Sequence, residues 1–166
     1  MAQIKLKGNP LHTSGDLPAV GTKAPDFTLV GVNLGEIKLA DLRGHKVVLN
    51  VFTSLDTSVC AASIRRFNKE AGERDGVKVL CVSMDLPFAA VRFCTAEGLD
   101  NVVTGSDFRD GAFGRAYGLR IEDGPIRGLL ARAVILLDAQ GKVMYTELVA
   151  EHSQEPNYDA VLALLG

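Results

Sequence analysis

The sequence predicts an α/β protein with a mixed central β-sheet, helices on both faces of that sheet and an added N-terminal β-hairpin. Three observations predict it. Apolar, β-branched runs recur at Val47 to Phe52, Val77 to Met84, Ala131 to Leu137 and Val143 to Leu148. After each of the first two runs the apolar spacing changes from strand-like to helical. The last two runs are separated only by Asp138-Ala139-Gln140-Gly141, a composition that joins antiparallel strands through a tight turn.

Each element follows in order. Ile4 to Lys7 and Leu11 to Thr13 flank Gly8-Asn9-Pro10 and read as the N-terminal hairpin, with glycine and asparagine supplying the turn. Gly15 to Pro25 is loop. Phe27 to Val30 and Ile37 to Leu39 read as short strands around Gly31 to Gly35, and Asp41 to Gly44 turns into the strand Val47 to Phe52. A helix begins at Cys60, because Cys60, Ile64, Phe67 and Ala71 recur at three- and four-residue steps while Arg65, Arg66, Lys69 and Glu70 fall elsewhere. Val77 to Met84 reads as a strand buried on both faces. Phe88 to Glu97 is a second helix closed by Gly98, the residue that best tolerates the left-handed conformation found at helix ends. Val102 and Val103 mark a third parallel strand, Ala112 to Tyr117 a short helix, and Tyr158 to Leu165 a terminal one. Strands and helices in this order give the thioredoxin arrangement with an N-terminal addition, since right-handed crossovers leave few alternatives.

The 166 residues read as one domain, 1–166, large enough to bury a core without staples. The 18 basic and 20 acidic residues are interspersed, which argues against a nucleic-acid or anionic-membrane surface, since either needs a clustered basic face. The lysines near the N-terminus precede no apolar segment, and no stretch approaches bilayer-spanning length, so the expected location is the cytoplasm. Cys60, Cys81 and Cys94 include no C-x-x-C pair, and His12, His45 and His152 lie far from them. That spacing argues against a structural zinc site and favours redox chemistry in a reducing compartment. The three histidines read as surface residues, Arg65-Arg66 as a solvated helix face, and Cys81 as part of the core.

Cys60 is the residue around which the chain is organised. Thr57 or Ser58 would cap its helix, placing the sulfur in a first turn whose free N–H groups carry partial positive charge. A thiolate is favoured there over the thiol. Position alone is equally compatible with a small hydrophobe on a core-facing stripe. Arg132 stands in an otherwise apolar run, where a permanent charge is costly to bury without an anionic partner such as a thiolate. Its alternative is a strand end reaching solvent.

Taken together, Ala24-Pro25-Asp26-Phe27-Thr28-Leu29, Val48-Leu49-Asn50-Val51-Phe52, Asp56-Thr57-Ser58-Val59-Cys60, Arg92-Phe93-Cys94, Ala116-Tyr117-Gly118 and Ala131-Arg132-Ala133-Val134 resemble the peroxiredoxins, specifically their bacterial thiol peroxidase group. The resemblance implies a thioredoxin fold, reduction of hydrogen peroxide and alkyl hydroperoxides, a homodimer, reduction by thioredoxin, and no metal, haem or flavin. It implies that Cys60 attacks the peroxide, that Cys94 resolves the product as an intrachain disulfide, and that Thr57 and Arg132 complete the site. Thr57, one turn before Cys60, would set its hydroxyl against the sulfur or the peroxide. The family pattern P-x-x-x-T-x-x-C is broken at its first position, which holds Thr53. A threonine keeps a compact shape but adds a hydroxyl and a backbone N–H, so the shielding of Cys60 is expected to differ.

Cys94 falls about two turns along its helix, so the two sulfurs are expected to start on the order of 10 Å apart at roughly 1.5 Å per residue. A disulfide needs Cα atoms within roughly 4.4 to 6.8 Å, and one or both helices would have to unwind. A thioredoxin-like disulfide carrier is disfavoured because the position three before Cys60 holds Thr57 rather than a second cysteine. A non-catalytic binding module would leave Thr57, Cys60, Cys94 and Arg132 without a common purpose.

Overall fold

The computed structural model describes residues 1–165. Nine strands form: β1 (Gln3–Leu6), β2 (Asn9–His12), β3 (Thr28–Val30), β4 (Glu36–Lys38), β5 (Lys46–Val51), β6 (Val77–Ser83), β7 (Val103–Ser106), β8 (Ala133–Leu137) and β9 (Val143–Leu148). The α-helices are α1 (Ser58–Glu70), α2 (Pro87–Glu97), α3 (Ala112–Ala116) and α4 (Tyr158–Leu164), and Leu39–Leu42 forms a 3-10 turn. β1 and β2 pair as a separate antiparallel hairpin, and the other seven strands form one sheet in the order β4-β3-β7-β6-β5-β8-β9. Its centre, β5, β6 and β7, is parallel, while the pairs β5-β8, β8-β9, β7-β3 and β3-β4 are antiparallel. The predicted mixed sheet is therefore present.

Period-two alternation divides the central strands between two cores. Val47, Leu49 and Val51 of β5 face one side with Leu80, Val82, Ala133 and Ile135, and meet Phe113 and Tyr117 of the α3 segment and Ile4 and Leu11 of the hairpin. Val48 and Phe52 face the other side with Val79, Cys81, Val134 and Leu136, and meet Cys60, Ile64 and Phe67 of α1, Ala90 of α2, and Tyr158 and Val161 of α4. On that second face Asn50 is a buried exception. Its amide Nδ2 donates to Ser63 Oγ at 3.2 Å, and Ser63 Oγ donates to the Cys60 carbonyl at 2.8 Å, tying the first turn of α1 to the sheet.

Three local details differ from the sequence expectation. The N-terminal turn is Lys7-Gly8, with φ of 50° and 82°, rather than Gly8-Asn9-Pro10. Two positive φ values match the turn to the twist of a two-residue hairpin. Asn9 and Pro10 then belong to β2, an edge strand where a residue without an N–H is tolerated. α1 starts two residues earlier than Cys60, with Thr57 as its cap position. β8 starts at Ala133, so Arg132 lies just before the strand, although its carbonyl still accepts from Val149 N–H at 3.0 Å.

α2 is the loosely seated helix. Only Pro87 and Ala90 are buried, while Phe88 is 68% exposed. Its C-terminus closes with Gly98 at φ 65°, whose N–H bonds to Thr95 O at 3.4 Å, followed by Leu99 N–H to Cys94 O at 3.0 Å. This is the paired bonding of a Schellman ending, and it places Cys94 in the last turn.

Candidate active site

Parallel strands and an antiparallel neighbour bring the site to one end of the sheet. β5 runs out at Val51, which pairs with Ala133, the first residue of β8, so Phe52 and Arg132 emerge side by side. Thr53 follows Phe52, and the turn 54–57 leads into α1. On the far side of β8, Ala133 pairs with Leu148, so the chain after β9 carries residues 149–152 past the same end.

Cys60 is fully buried in the first turn of α1. Arg132, 2% exposed, points its guanidinium at the sulfur, with Nη1 2.9 Å from Sγ. Nε of Arg132 donates to the His152 carbonyl at 3.1 Å, and Nη2 is buried with no hydrogen-bond partner among the described residues. A buried cation, an unspent donor and a helix start therefore converge on one sulfur. Each favours negative charge there, or on an oxygen bound next to it.

The hydroxyl that reaches the sulfur is not the expected one. Thr57 Oγ1 donates to Ser54 O at 2.9 Å, and the Thr57 side chain makes no capping bond. Thr53 Oγ1 lies 3.8 Å from Cys60 Sγ, and 3.4 to 3.5 Å from the two ring nitrogens of His152. His152 is half-buried rather than a surface residue, and burial together with the Arg132 charge pulls its pKa below the ordinary histidine value. Its contact to Thr53 spans 99 residues, a pairing that local spacing does not encode. The one available signal was Thr53 itself, a hydroxyl in a buried position that needs a partner.

A carboxylate holds the turn in place. Asp85, just after β6, accepts Ser54 Oγ–H at 2.9 Å, Leu55 N–H at 2.8 Å and Ser83 Oγ–H at 2.7 Å. Its own carbonyl accepts from Ser106 Oγ at 2.5 Å. The turn before α1 and the entry to α2 are thus joined through one side chain.

Cys94 and Cys81 are free thiols like Cys60. Cys94 is half-buried in the last turn of α2, and burial and the nearby Asp100 charge raise its pKa. Cys81 is 1% exposed in β6, and burial pushes it up to about 12, which makes it inert as a nucleophile near neutrality. The structure thus brings Cys60 and Arg132 together, keeps Thr57 in the supporting turn, and leaves Cys94 on an intact helix. Among the described residues no cluster of ligand-type side chains could hold a metal ion, and no helix is long and apolar enough to cross a membrane.

A thioredoxin-type sheet with a single buried, arginine-paired cysteine opening the first helix defines a thiol-based redox protein. Comparison with known proteins narrows the class. Residues 19–162 match the Redoxin family model. Thiol peroxidases from Mycobacterium tuberculosis and Corynebacterium glutamicum are 57% and 52% identical to the chain, over 100% and 99% of it and 99% of each relative. A crystal structure of a peroxiredoxin-like protein from Aquifex aeolicus superposes with a TM-score of 0.93 at 40% identity, covering 99% of this chain and 96% of that one. The chain belongs to the redoxin family, in the bacterial thiol peroxidase group of the peroxiredoxins.

Proposed function

We propose that the protein is a thioredoxin-dependent hydroperoxide reductase acting on hydrogen peroxide and alkyl hydroperoxides through Cys60 and Cys94. The observation that carries this reading is the 2.9 Å approach of Arg132 Nη1 to a fully buried Cys60 Sγ at a helix start. A cysteine kept only for packing gains nothing from a guanidinium, whose burial is costly unless an anion shares the site.

The chemistry follows from that geometry. The Cys60 thiolate attacks the terminal oxygen of a hydroperoxide, the S–O bond forms as the O–O bond breaks, and the alkoxide or hydroxide leaves with its electron pair and takes up a proton. Arg132 serves twice. Nη1 holds the sulfur's charge, and Nη2, unpaired among the described residues, is a donor for a peroxide oxygen as charge passes to it. Cys60 becomes a sulfenic acid, and the Cys94 thiol displaces water from it to form a disulfide. Thioredoxin's dithiol then reduces that disulfide and is itself oxidised.

The position of Cys94 supports its role as resolver. It lies in the last turn of a helix with little buried surface, the kind of element that opens locally at low cost. Thr57 contributes by shaping the turn through Ser54, and a homodimer in the cytoplasm completes the reading.

Intact mass and peptide mapping after one equivalent of cumene hydroperoxide test the reading. A loss of two hydrogens mapping to Cys60 joined to Cys94 within one chain is expected. In Cys94→Ser, Cys60 should still be oxidised once, and turnover with thioredoxin should stop. Oxygen added stably at Cys60 of the unaltered protein without linkage would remove Cys94 from the cycle, and no change at Cys60 would overturn the proposal.

A further inference from the structure

The position where the family pattern has proline carries in this chain a buried hydroxyl between two proton-exchanging groups. Thr53, 2% exposed, has Oγ1 3.8 Å from Cys60 Sγ and within 3.4 Å of His152 Nε2 and 3.5 Å of Nδ1. Thr53 Oγ1 is nearly equidistant from the two ring nitrogens, so whichever of them carries the lone pair lies within reach of the hydroxyl. A proline could offer neither a donor nor an acceptor to either group.

We propose that Thr53 and His152 form a proton relay for Cys60. The S–H proton passes to Thr53 Oγ1 while the Thr53 hydroxyl proton passes to His152, giving thiolate and imidazolium. After the S–O bond has formed and the O–O bond has broken, the same path runs backwards and delivers one proton to the departing alkoxide oxygen. No electrons move through the relay, and the histidine ends each oxidation as it began. The inference rests on the peroxidase reading above and names the residues that supply and collect its proton. His152 acts through Thr53 and is a positioning residue in this sense.

The surroundings suit the task. The charged groups acting on the ring are Arg132, from the segment before β8, and Glu151, its neighbour in the chain, and the hydroxyl in contact with it is that of Thr53. Glu151 is turned away, accepting backbone N–H groups of Lys7 at 3.0 Å and Gly8 at 3.2 Å. His152 N–H donates to Lys5 O at 2.8 Å and its carbonyl accepts from Arg132 Nε at 3.1 Å, so its backbone is fastened on two sides. Burial and the Arg132 charge keep the resting imidazole neutral at neutral pH, leaving a nitrogen lone pair available. Once the sulfur has lost its proton, the thiolate offsets the repulsion between the imidazolium and Arg132.

The test is the pH profile of single-turnover oxidation of Cys60 by cumene hydroperoxide, read by rapid quench and intact mass in a Cys94→Ser background. His152→Gln and Thr53→Val should each move the acid limb to higher pH by about one unit, which is about tenfold in rate on that limb. The double variant should lose no more than either single, because one path cannot be broken twice. Thr53→Ser should restore the profile. An unmoved limb in His152→Gln, or losses that add as independent effects, would overturn the relay. NMR titration of the His152 ring gives a check that does not depend on turnover: its midpoint should differ between the Cys94→Ser protein and the same protein with Cys60→Ser, and an identical midpoint would also overturn the relay. A protein in which Cys60 is not oxidised at all would instead remove the peroxidase reading itself.

Discussion

Replacing Arg132 by methionine tests whether the guanidinium sets the reactivity of Cys60. The charge centre of the guanidinium lies about 4 Å from a sulfur contacted by Nη1, and two unit charges at that separation interact by about 4 kcal/mol at an effective dielectric of about 20. Nη1 itself is 2.9 Å from Sγ. At about 1.4 kcal/mol per tenfold, losing a third or more of that attraction slows reaction at Cys60 by about tenfold or more. The assay is the rate of iodoacetamide alkylation of Cys60 against pH in a Cys94→Ser background. Arg132→Met should slow alkylation at least about tenfold near neutral pH, whereas Arg132→Lys, which keeps the charge but not the fork, should lie between. Stability should change little, because methionine fills much of the same buried volume without a charge to desolvate. An alkylation profile in Arg132→Met that overlays the parent, in a protein with native circular dichroism, would refute the electrostatic account.

Two further outcomes follow from groups away from the sulfur. The folded Cys81 thiol titrates near 12 against about 9 when unfolded, so the unfolded chain holds fewer protons between those values and stability falls with rising pH there, by up to about 1.4 kcal/mol per unit. Buried Tyr117 pulls the same way. Urea titrations above pH 9 should show this decline, and it should be shallower in Cys81→Ala, whose oxidation by peroxide should match the parent. Asp85→Ala leaves the Ser54 and Ser83 hydroxyls and the Leu55 N–H without their acceptor. Roughly 2 to 4 kcal/mol of stability should be lost by denaturant titration, with slower oxidation of Cys60 as the turn loosens. An unchanged unfolding midpoint would mean that water replaces the carboxylate.

The sheet was legible because its signal is local. Val47 to Phe52 and Val77 to Met84 are mostly apolar on both faces, as a strand covered on both sides of its sheet requires. Cys60, Ile64 and Phe67 gave α1 by spacing, and the quoted motifs carried the family. What stayed hidden depends on register. Arg132 opposite Phe52, and His152 arriving beyond β9, follow from strand pairing that spacing does not encode. The hairpin turn was misplaced for a related reason: residue preference favours Asn9 in a turn, yet pairing of β1 with β2 puts Lys7 at positive φ instead. The three bonds accepted by the Asp85 carboxylate appear only when β6 ends beside the 54–57 turn.

That carboxylate has a consequence for timing. In the proposed cycle Cys60 and Cys94 travel toward each other, and the segments they ride on are both anchored at Asp85. Asp85 precedes α2 and bonds the turn before α1, so loosening at one segment is expected to ease loosening at the other. The waiting time of the oxidised sulfur, and the number of further peroxides it meets before capture, is then governed by a clasp remote from both sulfurs. A tighter clasp makes the protein a slow recorder of peroxide, readily driven into overoxidation; a looser one makes it a fast scavenger that protects itself. Few side chains would need to change to move a descendant of this chain from one role to the other.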